Sequence, residues 1–437
     1  MLPISQKDLE QVIAEVEITD ITTATIRQIV ALAGALEEKS GEKFIHLEIG
    51  NPGLPAEQIG IEAEIEALKS GVANKYPDIL GIPVLKKAGS RFIKAFLNLD
   101  IPPKCVIPTV GSMQGCYTLL TLLKMRIPGK DTLLLFYPGF PAQTHQAKML
   151  GMKTASFDIY EHRGKKLEAK LEEMLKGGNI TAMIYSNPNN PSWTNFTEEE
   201  LEIIGRLATK YDVIVIEDLA YMGMDFRKDC GKPFQPPYIP TVGKYTNNYI
   251  LMISASKIFS YAGQRVALVC MNEEVFERRY PELEQFFEMP NFGECYIFGV
   301  LYTASSGVTH SAQYGMAAML DKACDGELSF VDHTKEYGRR SGILKKMLLD
   351  NGFHIVYEKD GDGDEHISDG FFFTAGYKDM DSEKLQKELL RYGISSISLP
   401  CTGSEQNGVR ICVSMISDDE SFKTFNDRLK KFNDEHR

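Results

Sequence analysis

With 437 residues the chain exceeds one compact core of ordinary size, so two domains, or one large domain with a smaller companion, are expected. Hydrophobic residues at 43% and charged residues at 25% fit a packed globular body, while a formal charge of -12 argues against a nucleic-acid duplex or an anionic membrane as the main partner. A local basic pocket for one phosphate is compatible with that charge.

The opening residues 1–15 alternate polar and apolar side chains without the basic-then-apolar order of a secretory signal, so no export is expected. From about Cys105 to Met271, short β-rich apolar runs alternate with stretches of helical period, the pattern of a parallel sheet covered on both faces. The runs cover 106–110, 132–136, 154–159, 182–185, 213–216, 250–253 and 266–270. Between them, 167–176 and 197–210 read as helices, the second opened by Thr197 as N-cap with acids in its first turn. The most apolar stretch, 249–271, is broken by Lys257, Gln264 and Arg265 and makes a poor membrane span. After about Leu320 the pattern changes to a long amphipathic helix through Leu349, strands near 354–357 and 370–375, a helix over 381–392, strands over 395–399 and 409–414, and a closing helix over 420–432. The expected fold class is therefore α/β, with a mostly parallel seven-stranded sheet in a large domain over 46–320. A smaller α+β domain follows over 321–437, and the N-terminal segment 1–45 packs with it.

Eight cysteines, at 105, 116, 230, 270, 295, 324, 401 and 412, form no C-x-x-C pair and have no nearby histidine pattern. They predict neither a zinc site nor a disulfide framework, but reduced, mostly buried thiols in a cytoplasmic protein without a metal. Asp360, Asp362 and Asp364 imitate the start of a calcium loop, yet Glu365 stands where glycine is needed and Phe371 closes the loop, so an acidic surface turn is expected. Dinucleotide, P-loop and zinc-protease motifs are absent.

In an open parallel sheet, ligands bind beyond the carboxyl ends of the strands. Four polar motifs stand at such ends: Ser186-Asn187-Pro188-Asn189-Asn190-Pro191, Glu217-Asp218-Leu219-Ala220-Tyr221, Ser254-Ala255-Ser256-Lys257, and Gly111-Ser112-Met113-Gln114. Arg265 and the hydroxyls of Ser254 and Ser256 can donate strong hydrogen bonds to a phosphate, and a helix start at Gly111 adds backbone N–H groups.

On these residues the chain resembles the fold-type I pyridoxal-phosphate enzymes, specifically the class I and II aminotransferases. The likeness covers nearly the whole chain, with E-I-G-N-P-G at 48–53, Y-P-D-I-L-G at 76–81, G-S-M-Q at 111–114, Y-P-G-F-P at 137–141, N-P-N-N-P at 187–191, D-L-A-Y at 218–221, S-A-S-K with Arg265, and G-V-R-I at 408–411 in the family's order. The resemblance implies that Lys257 is the Schiff-base lysine, that Asp218 pairs with the pyridine nitrogen, and that Tyr221 and Asn190 bond the ring hydroxyl. It places Phe140 against the ring face, and it puts Ser112, Met113, Ser254 and Arg265 around the phosphate. Tyr76 then reaches the phosphate from the other subunit of a homodimer. Arg410, with Gly50 and Asn190 beside it, would take the substrate α-carboxylate as a fork that lysine could not reproduce.

The implied reaction moves an amino group between an L-amino acid and a 2-oxo acid through the Lys257 Schiff base and a pyridoxamine intermediate. A C–S lyase or another elimination or decarboxylation on the same fold is the alternative. Two departures from the family pattern stand out. Ser192 and Trp193 follow the N-P-N-N-P run where Thr-Gly is usual, which either narrows the substrate pocket or packs the indole outward under the loop. No arginine can be assigned to a side-chain carboxylate, so a dicarboxylate substrate is not supported.

Overall fold

The computed structural model describes residues 2–361 and 365–437. Seven strands form the main sheet: β1 (Val106–Thr109), β2 (Thr132–Tyr137), β3 (Lys153–Asp158), β4 (Ile180–Ser186), β5 (Ile214–Asp218), β6 (Tyr249–Ser254) and β7 (Ala267–Met271). Their order is β1-β7-β6-β5-β4-β2-β3, and every pairing is parallel except the two made by β7. Residues of β4, β5 and β6 are buried along their whole length, which is why these runs are continuously apolar rather than alternating. The register sets Ser186 beside Asp218 and Asp218 beside Met252, so the polar motifs that follow these strands emerge side by side at one sheet edge.

Two of the helices covering this sheet bear on that edge. Helix α1 (Gly111–Met125) starts directly after β1. Helix α2 (Glu198–Lys210) is opened by a capping box in which Thr197 accepts from Glu200 N and the Glu200 carboxylate accepts from Thr197 N. The same carboxylate takes two N–H groups of the buried Arg163, which ties the helix start to the loop after β3.

A single helix was expected after Leu320, but two are present, Ala323 and Cys324 ending His310–Cys324 and a second running as α3 (Phe330–Asp350). Gly326, at φ +75, lies in the left-handed region and turns the chain between them. A second, antiparallel sheet follows in the order β10-β11-β9-β8, built from β8 (Phe353–Ile355), β9 (Phe372–Tyr377), β10 (Ile397–Ser398) and β11 (Val409–Cys412). Residues 45–46 pair in parallel with 394–395, and a separate apolar cluster joins Ile4, Leu9, Ile29 and Leu36 to Leu390 and Ile397. The N-terminal residues thus share a core with the C-terminal ones.

The expected acidic surface turn is corrected at its first residue. Asp360 is buried, accepts from Asn195 N at 2.7 Å, and is paired with Arg227 at 2.8 Å and Arg163 at 3.7 Å. Two guanidinium groups from distant segments compensate a carboxylate that would otherwise require water. Asp362 and Asp364 lie outside the described residues.

Candidate active site

A cavity of about 640 Å³ opens at the sheet edge where the four motifs emerge, between the main sheet and the antiparallel one. Of the residues singled out from sequence, Gly50, Ser112, Met113, Phe140, Asn190, Asp218, Tyr221, Ser254, Lys257, Arg265 and Arg410 all line it. Tyr76 does not; it is 92% exposed on the outside of the chain.

The sequence builds each position locally. Lys257 sits in a single helical turn, Ala255–Ile258, capped by Ser254, whose hydroxyl accepts from Ser256 N at 3.2 Å. Its Nζ donates to the carbonyl of Gly50 and lies over the Phe371 ring at 5.2 Å. Burial, with Arg410 and Arg265 nearby, pushes its amine down to about 8. Near neutral pH an appreciable fraction is therefore the free, nucleophilic base.

Asp218 ends β5 with 8% exposure. It accepts only from Ala220 N, at 3.2 Å, and has no ion-pair partner among the described residues, so burial raises its carboxyl to about 6. The Tyr221 hydroxyl is pushed well above its ordinary range, first by burial. Both groups are desolvated acids facing a cavity that contains three cationic side chains, Lys257, Arg265 and Arg410.

Arg265 and Gly111 are matched sterically. Arg265 adopts φ +52 and fixes its guanidinium by donating to Ala262 O at 2.8 Å. Gly111 adopts φ +67, and a Cβ there would come within 2.4 Å of Nη2 of Arg265. Only a glycine at the start of α1 lets the backbone N–H groups and the guanidinium share one anion-sized space.

Arg410, on β11, is 2% exposed. It donates through Nη2 to Glu48 O at 2.5 Å and stacks over Phe372 at 4.7 Å, while its buried Nε has no partner. Glu48 itself is fully buried and bonds His46 at 2.8 Å, which raises the imidazole above its ordinary value. An arginine held by one nitrogen with another unsatisfied is a ready fork for a carboxylate.

The Asn-Pro run is built as a tight loop of its own. Asn189 Oδ1 accepts from Ser192 N and Oγ, Trp193 N donates to Asn189 O at 2.9 Å, and Asn190 N donates to Ser186 Oγ at 3.0 Å. Trp193 takes neither course expected of it. Its ring is wholly buried, packs edge-on against Tyr221 and Phe372, and donates through Nε1 to Ser368 at 3.1 Å. The backbone at Trp193 has φ +64, a conformation that favours glycine, and Gly370 is the complement, since a Cβ there would lie 2.1 Å from the indole.

Sequence reasoning missed Ile26, Ser260 and Phe372, and it placed Asn51, Pro52 and Ser186 in motifs without giving them a role, yet all six line the cavity. Ile26 comes from the N-terminal segment and Phe372 from β9, and neither belongs to a motif. Ser260, three residues after Lys257, carried a signal only in its φ of +51, which no sequence pattern displays.

The sequence pattern of the family described as aminotransferase class I and II matches residues 42–423. The chain belongs to this family. Among its relatives, nicotianamine aminotransferase 1 of Oryza sativa is 26% identical over 209 residues, spanning 47% of this chain and 41% of that protein. The (5-formylfuran-3-yl)methyl phosphate transaminase of Methanocaldococcus jannaschii is 26% identical over 332 residues, spanning 76% of this chain and 78% of that one. The chain shares its fold with the Thermus thermophilus aspartate aminotransferase solved with maleate, at a TM-score of 0.73 and 18% identity over 94% of this chain and 96% of that one. An aminotransferase from Mycobacterium tuberculosis superposes at 0.75 with 17% identity and the same coverage.

Proposed function

We propose that this chain is a pyridoxal-phosphate-dependent aminotransferase that moves an amino group between an L-amino acid and a 2-oxo acid. The observation that carries the reading is the convergence, in one cavity, of an amine lowered to about 8, a buried carboxylate without a cation, an anion cradle and an unsatisfied arginine.

These residues fit the cofactor. The buried Asp218 lacks a cation that a protonated ring nitrogen would supply, and Gly111 with Arg265, Ser112, Met113 and Ser254 leaves room for a phosphate. Lys257 would carry the cofactor on Nζ, Asn190 and Tyr221 would bond its ring hydroxyl, and Phe140 would cover its face. When bound, the group supplies an electrophilic carbon and an electron-withdrawing ring to the substrate's amine. Lys257 Nζ, with its lowered proton affinity, takes and returns the proton at the substrate α-carbon. Asp218, ionised above about pH 6, holds a proton on the ring nitrogen by charge. Arg410 binds and orients the α-carboxylate with Gly50 beside it.

The test is the visible spectrum of the holoenzyme. Amino donors should bleach the cofactor band, 2-oxo acids should restore it, and Lys257→Ala should abolish the cycle. Product release with the band retained would instead establish elimination chemistry. We further place the large cofactor domain at 46–320 and the small domain at 321–437 with 1–45, and we infer a homodimer in which the exposed Tyr76 completes a second copy's phosphate site. No helix of the described residues is long and apolar enough to cross a membrane, and all eight cysteines are free, the chemistry of a reducing cytoplasmic compartment.

A further inference from the structure

Three separate segments meet beside the cavity in an arrangement that neither the cofactor nor the α-carboxylate uses. Ser260 Oγ lies 3.1 Å from His333 Nε2, and His333 Nδ1 lies 2.9 Å from Glu57 Oε1. Ser260 follows the Lys257 turn, His333 is in the first turn of α3, and Glu57 directly precedes the helix Gln58–Lys69, just after the Gly50–Pro52 stretch that lines the cavity. The array is held by its surroundings. Glu57 N donates to Phe259 O at 3.2 Å, and Gly53 N donates to the hydroxyl of Tyr337, one turn along from His333.

Hydrogen-bond bookkeeping sets the sense of this array. The Ser260 hydroxyl has two partners, His333 Nε2 and the hydroxyl of Tyr337, so its one O–H and one of its lone pairs are committed to them. Ser260 therefore keeps one oxygen lone pair for the cavity that it lines. It does so from a left-handed backbone at φ +51, a cost that a serine bears only where its surroundings fix it. The cavity wall also includes Asn51, Pro52 and Ile26, and its charged side chains are Lys257, Arg265, Arg410 and Asp218.

We propose that Ser260, aimed by His333 and Glu57, reads the substrate side chain as a hydrogen-bond acceptor, and that the amino donors preferred are those with a neutral donor side chain, a carboxamide before all. The inference rests on the aminotransferase reading above, which assigns Lys257, Arg265 and Arg410 elsewhere. An acidic side chain would meet this lone pair with the cavity's cations engaged elsewhere, and a basic one would find its carboxylate, Asp218, engaged elsewhere. A carboxamide can give its N–H to Ser260 and exchange both kinds of hydrogen bond with Asn51, whose side chain has no partner among the described residues.

The experiment is the amino-donor half-reaction of the holoenzyme, followed by bleaching of the visible band with glutamine, glutamate and norvaline, in wild type, Ser260→Ala and His333→Leu. Wild type should favour glutamine over both others. The glutamine-to-norvaline ratio of kcat/KM should fall about tenfold in Ser260→Ala, the worth of one hydrogen bond, and should fall also in His333→Leu, where the serine hydroxyl loses its orientation. Ser260→Gly, which relaxes the left-handed backbone, serves if the alanine variant does not fold. An unchanged ratio, with both donors slowed equally, would show a structural serine and overturn the proposal, as would a wild-type preference for glutamate or norvaline. A wild-type band that no amino acid bleaches would overturn the aminotransferase reading itself.

Discussion

Replacing Arg410 by lysine keeps the charge and removes the fork. In the native chain one N–H of Nη2 is committed to Glu48 O at 2.5 Å and the guanidinium plane is seated on Phe372, which leaves the second N–H of Nη2 and a neighbouring nitrogen as the fork. Lysine offers one ammonium, which at 2% exposure would settle on the Glu48 carbonyl and present no paired donors to a ligand. Losing a bidentate, charge-assisted pair costs roughly 3 kcal/mol, so kcat/KM for every α-amino acid should fall by about 100-fold. The loss should be uniform across side chains, and cofactor affinity, measured by absorbance titration of the cofactor-free protein, should change by less than about threefold. Stopped-flow bleaching with a panel of donors, including a simple alkylamine without a carboxylate, separates the two. A variant that matches wild type, or one that loses the alkylamine reaction as severely as the amino acids, would refute the assignment of Arg410 to the α-carboxylate.

Asp218→Asn should retain cofactor but lower kcat at least a hundredfold, by loss of a buried ion pair worth about 3 kcal/mol or more. The same change should raise the melting temperature of the cofactor-free protein above pH 6, where the buried carboxylate is charged and unpaired. Gly111→Ala forces Arg265 aside and strains a left-handed backbone; cofactor affinity should drop roughly tenfold in an absorbance titration, with about 1 kcal/mol lost in denaturant unfolding. Glu217, wholly buried against Thr241 and Val242, is raised to about 7 by burial, so the native state holds a proton that the unfolded chain releases near pH 4.5. Stability should therefore fall as pH rises from about 4.5 through 7, by on the order of 3 kcal/mol, and Glu217→Gln should remove that part of the slope in urea unfolding.

The parts of the fold that were legible are those governed by local pattern. Apolar runs such as 182–185 announced strands because strands covered on both faces need no alternation, and the polar residues that end them, Asp218 and the Ser254–Lys257 turn, marked the ligand edge. Contacts between distant segments left no such trace. Nothing near Trp193 reveals that Gly370 makes space for its ring, and nothing near Asp360 reveals Arg163 and Arg227. The break at Gly326 was missed because the helical period continues on both sides of it. Ser260 was passed over because its role depends on two partners that lie 203 residues before it and 73 after it, as its numbering against Glu57 and His333 shows.

Trp193 gives the chain a built-in optical probe. It is the sole tryptophan, its indole is sealed from solvent, and it packs edge-on against Tyr221, which lines the cavity. Its fluorescence should be blue-shifted in the folded chain and quenched by energy transfer when a chromophoric ring enters the cavity. Emission from this one residue therefore reports cofactor loading without a label.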